Sequence, residues 1–148
     1  MTELNEAGAT RVIATEEQDL VQEILNITGR EGARVVFDPV EGPDFAKLAQ
    51  ATKTNGIIFL YGLLSSAPTP LPAFDVLGRH LTVRGYELFE VTTDDQRLAN
   101  AKRFIVDGLT SGALRPRVGK TFPLSQIVEA HRYMEANAQI GKIVVTVS

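Results

Sequence analysis

An apolar run of seven residues, Gly56-Ile-Ile-Phe-Leu-Tyr-Gly62, most constrains what this chain can fold into. Its side chains do not alternate between apolar and polar, as they would in a strand with one face in water. A short continuous run bounded by glycines is typical of a parallel strand that is covered on both faces. The run therefore predicts a parallel sheet with helices packed against it.

The segments around this run alternate between strand patterns and helix patterns. Further strands or extended segments are predicted at Arg11–Ala14, Ala33–Asp38, Leu81–Gly85, Thr121–Pro123 and Ile143–Val147. Helices are predicted at Leu20–Ile27, Pro43–Ala51, Ala73–Leu77 and Asp94–Ser111, and after a capping Ser125. Asn55-Gly56 is a turn signal, and Leu63–Pro72 contains too much proline for a helix or a central strand. Strands joined by helical crossovers of this length favour a right-handed α/β sheet.

Length and composition restrict the chemistry further. The 148 residues are enough for one domain and short for two, with 44% hydrophobic and 22% charged residues, as in soluble globular proteins. The absence of cysteine excludes disulfides, thiolate metal ligands and cysteine nucleophiles. The chain has only two histidines, which excludes an all-histidine zinc site. Neither His80 nor His131 has an acidic or serine partner at a recognisable spacing, which indicates structural roles. The chain has no phosphate-binding loop of the GxGxxG or GxxxxGK[ST] type.

Charge is distributed unevenly along the chain. Residues 1–50 carry ten acidic and four basic side chains, whereas residues 101–148 carry three acidic and seven basic ones. The late basic residues, such as Arg132 or Lys142, are either solvated or in contact with a phosphate. A net charge of −3 offers no general attraction for nucleic acid or acidic membranes. With no membrane-length apolar run and no signal-peptide core in residues 1–15, we predict a soluble, cytoplasmic protein.

Ligands of open α/β sheets bind at the carboxyl ends of the strands, and three features occur there. Asp38 is either a ligand contact or a turn residue that accepts hydrogen bonds from nearby backbone N–H groups. Gly62 either lets the backbone approach a ligand or permits a turn. Glu87–Glu90 either borders the same crevice or packs through Leu88 and Phe89. From the residues alone, the prediction is an α/β fold that binds a nucleotide or a metabolite in this crevice.

An ordered series of short motifs then resembles a known family. The motifs are Gly8–Ala14, Val35–Val40, Gly56–Gly62, Leu81–Tyr86, Ala101–Phe104, Phe122–Leu124, Glu129–Met134 and Gly141–Val145. Together they resemble the C-terminal half of the medium-chain dehydrogenase/reductase superfamily, in its quinone oxidoreductase-like or zinc-binding alcohol dehydrogenase branch. Each motif is weak alone, but the ordered set is specific and covers nearly the whole chain.

The resemblance implies a partial Rossmann-like, doubly wound parallel sheet that lacks its first two strands. Members of the family also have an N-terminal catalytic domain and a glycine-rich phosphate loop, so the resemblance implies an incomplete enzyme. Residues 1–148 would be the C-terminal part of the dinucleotide-binding domain, with a segment from about residue 121 that returns to the catalytic domain. With Arg11–Ala14 as family strand 3 and Ala33–Asp38 as strand 4, the strand-4 edge is expected to be open.

The resemblance also implies which residues contact the cofactor. By their match to family motifs these are Asp38, Val40, Gly62, Leu63, Leu64, Leu88, Phe89, Gly141 and Lys142. Val40 is followed by Glu41 where relatives usually have glycine, which puts the role of that loop in doubt. The catalytic proton donor and any zinc ligands of relatives lie in the absent half, so no catalytic or metal-binding residue is assigned here.

The implied activity is NAD(P)H-dependent hydride transfer to or from a quinone, an enone or an alcohol. NADP is the expected cofactor, with NAD as the alternative, and the isolated chain is expected to be inactive. The alternative function is a non-catalytic module that oligomerises or binds a nucleotide, with a homodimer formed through the Leu81–Gly85 edge or an association with a complementary domain. A flavodoxin-like regulatory domain is the weaker alternative, because it needs a phosphate loop or an acidic pocket that this sequence does not show.

Overall fold

The computed structural model describes residues 2–137 and 139–147 of the chain. The chain divides into two compact units, which meet in sequence between Asp94 and Asp95. We call them the N-terminal unit and the C-terminal unit and describe each by itself. Among the described residues, no helix is long and apolar enough to cross a membrane.

The described residues of the N-terminal unit form a three-stranded parallel sheet, five α-helices and a 3₁₀ turn, Gly42–Asp44. Its strands are β1 (Ala33–Asp38), β2 (Thr52–Leu60) and β3 (Thr82–Gly85), in the spatial order β1-β2-β3. Its helices are α1 (Thr2–Glu6), α2 (Leu20–Ile27), α3 (Phe45–Ala51), α4 (Ala73–Gly78) and α5 (Phe89–Thr92). The parallel α/β architecture predicted from the sequence is confirmed, with the second and third helices close to their predicted limits. The short helices α1 and α5 were not predicted.

One face of this sheet forms the core of the N-terminal unit. Phe45 and Ala49 of α3 pack against Ile58 of β2 and against Leu81, which precedes β3, and all four are buried. Partly buried apolar side chains of the three strands complete the cluster: Val36, Leu60 and Val83. Burying a side chain such as Phe45 or Ile58 stabilises the fold by about 1.5–3 kcal/mol. This packing fixes α3 on the sheet and therefore fixes the loop that joins β1 to α3.

The opposite face of the sheet carries an aromatic cluster that is largely exposed. Phe37 stacks on Phe59 with ring centroids 5.1 Å apart, and Tyr61 and Tyr86 meet these rings edge-on. Phe37 is 62% exposed and Tyr61 is 50% exposed. The prediction that the central strand is covered on both faces is therefore wrong for this structure. An unbroken apolar run indicates that both faces of a strand can be packed. It does not indicate that the chain contains an element that covers the second face.

The Asn55-Gly56 turn signal lies inside β2 and not before it. Asn55 has φ 61°, and the pairing register shifts between Ala33, opposite Thr52, and Val35, opposite Ile57. The backbone N–H of Asn55 donates to the carbonyl of Arg79 at 2.8 Å, which anchors the irregularity. The turn conformation is present, but as a distortion within a longer strand.

Arg11–Ala14 is not a strand, and this prediction is wrong. A strand needs a neighbour that pairs with its backbone, whereas Ala14 is drawn into a turn. Its carbonyl accepts from Glu17 N and Gln18 N, and its N–H donates to the Gln18 side chain. The predicted open edge next to Ala33–Asp38 is present, since β1 pairs only with β2 among the described residues.

The C-terminal unit contains a long helix and a separate two-stranded parallel sheet. Helix α6 spans Asp95–Ser111, strand β4 spans Val118–Pro123, helix α7 spans Ile127–Glu135 and strand β5 spans Lys142–Thr146. Phe122 of β4 and Ala130 of α7 are buried, which places α7 against this sheet. The long helix and the final strand match their predicted positions to within a residue.

Ser125 does not cap α7 as predicted. It lies inside a 3₁₀ turn, Leu124–Gln126, that leads directly into the helix. Gln126 occupies the N-cap position and makes no side-chain capping hydrogen bond. The turn begins right after the extended Pro123, so the change from strand to helical backbone occurs before Ser125 and leaves it no capping position.

Candidate functional site

The carboxyl ends of the three parallel strands lie at one edge of the N-terminal sheet. Asp38 ends β1, Leu60 ends β2 and Gly85 ends β3, and these three positions are in register. Backbone pairing continues past the strand ends, since Tyr61 N donates to the carbonyl of Asp38 at 3.1 Å and Tyr86 N to that of Leu60 at 2.9 Å. The predicted residues Asp38, Gly62 and Leu88 therefore follow the strands at the same edge of the sheet.

Asp38 holds the loop that follows β1. Its side chain is only 4% exposed, and its Oδ1 accepts hydrogen bonds from Val40 N at 2.9 Å and Glu41 N at 3.0 Å. This is the turn role considered for Asp38 from the sequence. Its Oδ2 is also buried and accepts no hydrogen bond from the described residues. A buried carboxylate oxygen without a partner is costly, so the loop is held in this geometry at an electrostatic cost.

The loop after β2 pairs with the loop after β1. Leu64 N donates to the carbonyl of Pro39 at 3.1 Å, and Ser65 N donates to that of Val40 at 2.9 Å. We call the two paired segments, Pro39–Gly42 and Tyr61–Ser65, the loop junction. At Gly62 a Cβ atom would lie 2.6 Å from the carbonyl oxygen of Pro39, which is closer than real contacts allow. The glycine therefore serves the close approach of two backbones.

Glu41 and Gly42 both have left-handed backbone conformations, with φ 62° and 76°. For Glu41 this conformation is unfavourable, because its Cβ crowds the backbone. The loop is tied down by Thr69, whose Oγ1 accepts from Gly42 N at 2.8 Å and donates to the Glu41 carboxylate at 3.4 Å. The sequence pointed to Glu41 but not to Thr69. The one feature that could have indicated Thr69 is its hydroxyl between Pro68 and Pro70.

Apolar side chains line the exposed rim of the loop junction. Leu63 is 79% exposed, Leu64 is 76% exposed and Val40 is 48% exposed. Leu88 and Phe89, where the chain enters α5, are also exposed, so the alternative that they serve ordinary packing is not supported. Leucines this exposed around polar backbone are typical of a surface that is covered by a ligand or by another part of a protein.

The other two predicted contacts, Gly141 and Lys142, belong to the C-terminal unit at the start of β5. Gly141 has φ 93°, and a Cβ atom there would lie 2.7 Å from the carbonyl oxygen of Arg117. Lys142 N donates to that same carbonyl at 2.8 Å, while its side chain is exposed. The local geometry explains the glycine as a requirement of the β4–β5 pairing.

The described residues do not fit a zinc site. They contain no group of three or more histidine, cysteine, aspartate or glutamate side chains that could hold a metal ion. The sequence has no cysteine, and its two histidines, His80 and His131, lie in different units. Both histidines are exposed. A structural or catalytic zinc ion needs three or four such ligands converging at about 2.0–2.3 Å, and the described residues do not provide them.

Comparisons with known proteins identify the family. Residues 7–145 match the family profile described as zinc-binding dehydrogenase. The 2-haloacrylate reductase of Burkholderia sp. is 27% identical over 93% of this chain and 42% of its own length. The crystal structure of Escherichia coli quinone oxidoreductase complexed with NADPH superposes with a TM-score of 0.84, at 26% identity over 98% of this chain and 46% of that one.

A further solved structure, an NAD-dependent alcohol dehydrogenase, gives a TM-score of 0.83 at 28% identity, over 99% of this chain and 40% of that one. The chain therefore spans less than half the length of these relatives. The match agrees with the partial parallel sheet and with the sequence resemblance. The chain belongs to the zinc-binding dehydrogenase family, within the medium-chain dehydrogenase/reductase superfamily.

Proposed function

We propose that this chain forms part of an NAD(P)H-dependent oxidoreductase and contributes the surface that holds the nicotinamide half of the cofactor. The reaction would transfer hydride to or from a quinone, an enone or an alcohol. The observation that carries this proposal is the loop junction at the carboxyl edge of the sheet. Two loops are locked together there around a buried, partly unpaired carboxylate, in a chain of a dehydrogenase family.

When bound, the nicotinamide ring supplies or accepts the hydride. The residues of this chain would position that ring and keep water from it. Asp38 fixes the loop after β1 through two backbone N–H groups, and its Oδ2 is buried without a partner among the described residues. Gly62 lets the backbones of the two loops approach closely. The exposed apolar rim would be covered by the cofactor and substrate, which strengthens electrostatic interactions inside the site.

The remaining assignments rest on the family. We infer NADP as the cofactor, with NAD as the alternative, and Gly141 and Lys142 as further contacts from the C-terminal unit. We further propose a cytoplasmic homodimer through the edge strand Leu81–Gly85, and a segment from about residue 121 that packs with a catalytic domain. The open edge of β3 supports the dimer, because the described residues leave one side of that strand unpaired.

A second candidate function is a non-catalytic module that oligomerises. The observation that favours it is the combination of two open sheet edges, on β1 and β3, with an exposed aromatic face. Such edges and faces are typical of surfaces that associate. This candidate requires no cofactor, which makes the two functions separable by experiment.

A steady-state assay and a sizing experiment separate the two candidates. We expect the isolated 148-residue chain to show no NADPH-dependent reduction of quinones or enones, because the cofactor phosphates have no glycine-rich loop here. Light scattering and an NADPH fluorescence titration complete the test. A monomer that binds NADPH contradicts the oligomerising module, whereas a dimer that does not respond to NADPH favours it. Normal turnover by the isolated chain would contradict the assignment as part of an enzyme.

A further inference from the structure

An open groove in the C-terminal unit is not used by the proposed function. It lies between β4 and the first turns of α7, and its volume is about 800 Å³. Small-molecule sites typically measure about 300–1,000 Å³. Both walls carry side chains that can donate hydrogen bonds to an anion: Lys120, Thr121, Ser125, Gln126 and Arg132.

Lys120 supplies a cation that is held in place without being neutralised. Its ammonium lies 4.8 Å from the ring centroid of Phe122 and 4.4 Å from that of Tyr133. Aromatic faces attract and orient a cation through their quadrupoles, but they carry no net charge. Within residues 2–137 and 139–147, no carboxylate forms an ion pair with Lys120. Its positive charge therefore remains available to a ligand.

Arg132 supplies a second cation on the α7 wall of the groove. Its Nη1 lies 3.8 Å from the Glu129 carboxylate, at the long end of the range for an ion pair, and its side chain is 74% exposed. Such a surface ion pair contributes little to stability, so the guanidinium can leave Glu129 for a stronger ion pair with a ligand. A guanidinium binds the oxygens of a phosphate in a bidentate manner, which an ammonium cannot do.

We propose that this groove binds the phosphate group of a phosphorylated small molecule. Lys120 acts as a fixed point charge, Arg132 turns from Glu129 to the phosphate oxygens, and the hydroxyls of Thr121 and Ser125 complete the set of donors. The excess of basic residues in the last third of the chain favours an anion at this place. The phosphate can come from a separate metabolite or from NADP itself.

An NMR titration of the ¹⁵N-labelled 148-residue chain with inorganic phosphate, at constant ionic strength, tests this inference. We expect amide signals of residues 120–133 to shift and to saturate. Lys120→Gln should weaken binding about tenfold or more, as expected for the loss of one charge-assisted hydrogen bond. Glu129→Gln should tighten binding, because it removes the competing carboxylate. Lys102→Gln, an exposed lysine on α6, is the matched control and should change nothing.

Amide shifts that do not saturate would overturn the inference. An equal loss of phosphate affinity in the Lys120→Gln and Lys102→Gln variants would do the same. Parallel titrations with NADP⁺ and NAD⁺ identify the source of the phosphate. A groove response to NADP⁺ but not to NAD⁺ assigns the site to the 2′-phosphate of the cofactor, and equal responses assign it to the diphosphate that both dinucleotides carry. Binding of inorganic phosphate with no groove response to either dinucleotide assigns it to a separate metabolite. A dinucleotide response at the loop junction, with no groove response to inorganic phosphate or to either dinucleotide, overturns this inference alone. A groove response with none at the loop junction supports it and counts against the proposed function.

Discussion

Gly62 is the residue at which two backbones of the loop junction come closest. Its replacement by alanine would place a Cβ atom 2.6 Å from the Pro39 carbonyl oxygen, so one of the two loops must move. We expect Gly62→Ala to lower the free energy of unfolding by about 1–3 kcal/mol, as overpacking does elsewhere. Gly78→Ala is the matched control, since its Cβ atom would meet nothing within 4 Å. Chemical denaturation of both variants measures the difference, and equal stabilities would show that the junction is not tight at Gly62.

Glu41 stores backbone strain at the same junction. Its φ of 62° costs about 1–2 kcal/mol for a residue with a side chain, whereas glycine has no such cost but loses about 0.5–1 kcal/mol in chain entropy. We therefore expect Glu41→Gly to raise the free energy of unfolding by about 0.5–1 kcal/mol. Glu41→Ala keeps the strain and removes only the carboxylate that contacts Thr69. Thermal unfolding of the two variants separates these effects, and a Gly variant less stable than the wild type would mean that the Thr69 contact outweighs the strain.

The site residues could be predicted only in part from the sequence. The position of Asp38 at a strand end follows from the apolar pattern and the following Pro39, and the structure puts it at the predicted edge. The pairing of Pro39 with Leu64 and the contact between Glu41 and Thr69 could not be predicted, because they join segments about 25 residues apart. Such contacts depend on how α3 packs on the sheet, which no local pattern encodes.

At the scale of elements, the N-terminal sheet has one packed face and one open face. Neighbouring residues of β2 point to opposite faces, so Ile58 belongs to the core while Ile57 faces the aromatic side. We expect Ile58→Ala to cost about 2–5 kcal/mol of unfolding free energy and Ile57→Ala to cost clearly less. Urea denaturation checks both values. Equal losses would mean that the second face is covered as well, as the unbroken apolar run had predicted.

A surface ion pair joins the start of β1 to β2 and makes stability depend on pH. The Lys53 ammonium donates to the Glu31 carboxylate, and this contact lowers the pKa of Glu31 below its ordinary value of 4.5. The folded state then holds this proton less tightly than the unfolded state. The stabilisation is therefore present above pH 4.5 and is lost as the pH falls through the lowered pKa.

Glu31→Gln removes the carboxylate of this ion pair, and Lys53→Met removes its ammonium. We expect either change to abolish the loss of stability that the ion pair causes on acidification. Unfolding curves of the wild type and both variants from pH 6 to pH 3 measure the effect. A wild type that loses no more stability than the Glu31→Gln variant on acidification would contradict this assignment.

The positions of helices and strands could be predicted where the apolar spacing within one segment was sufficient to define the element. The helix at Leu20–Ile27 follows from its apolar spacing, and the structure adds Asp19 as its cap through hydrogen bonds to Val21 N and Gln22 N. Arg11–Ala14 failed as a strand because a strand pattern says nothing about whether a pairing neighbour exists. Ser125 does not cap α7, because the 3₁₀ turn Leu124–Gln126 begins the helical backbone one residue before Ser125.

The chain belongs to a dehydrogenase family, but its sequence contains no glycine-rich phosphate loop. Its relatives are more than twice as long, and the matched portion leaves open edges, an exposed aromatic face and an apolar rim around the loop junction. Under the proposed function, a cofactor and a neighbouring domain would cover these surfaces. The role proposed for the loop junction is recognition of the nicotinamide half of NAD(P)H.

A residue-resolved NMR titration of the 148-residue chain with NADPH tests this claim most directly. We expect the amide signals of Val40, Glu41, Leu63, Leu64 and Ser65 to shift together. Gly62→Ala should abolish these shifts, whereas Gly78→Ala should leave them unchanged. NADPH shifts that avoid both loops, or that persist unaltered in the Gly62→Ala variant, would contradict this role.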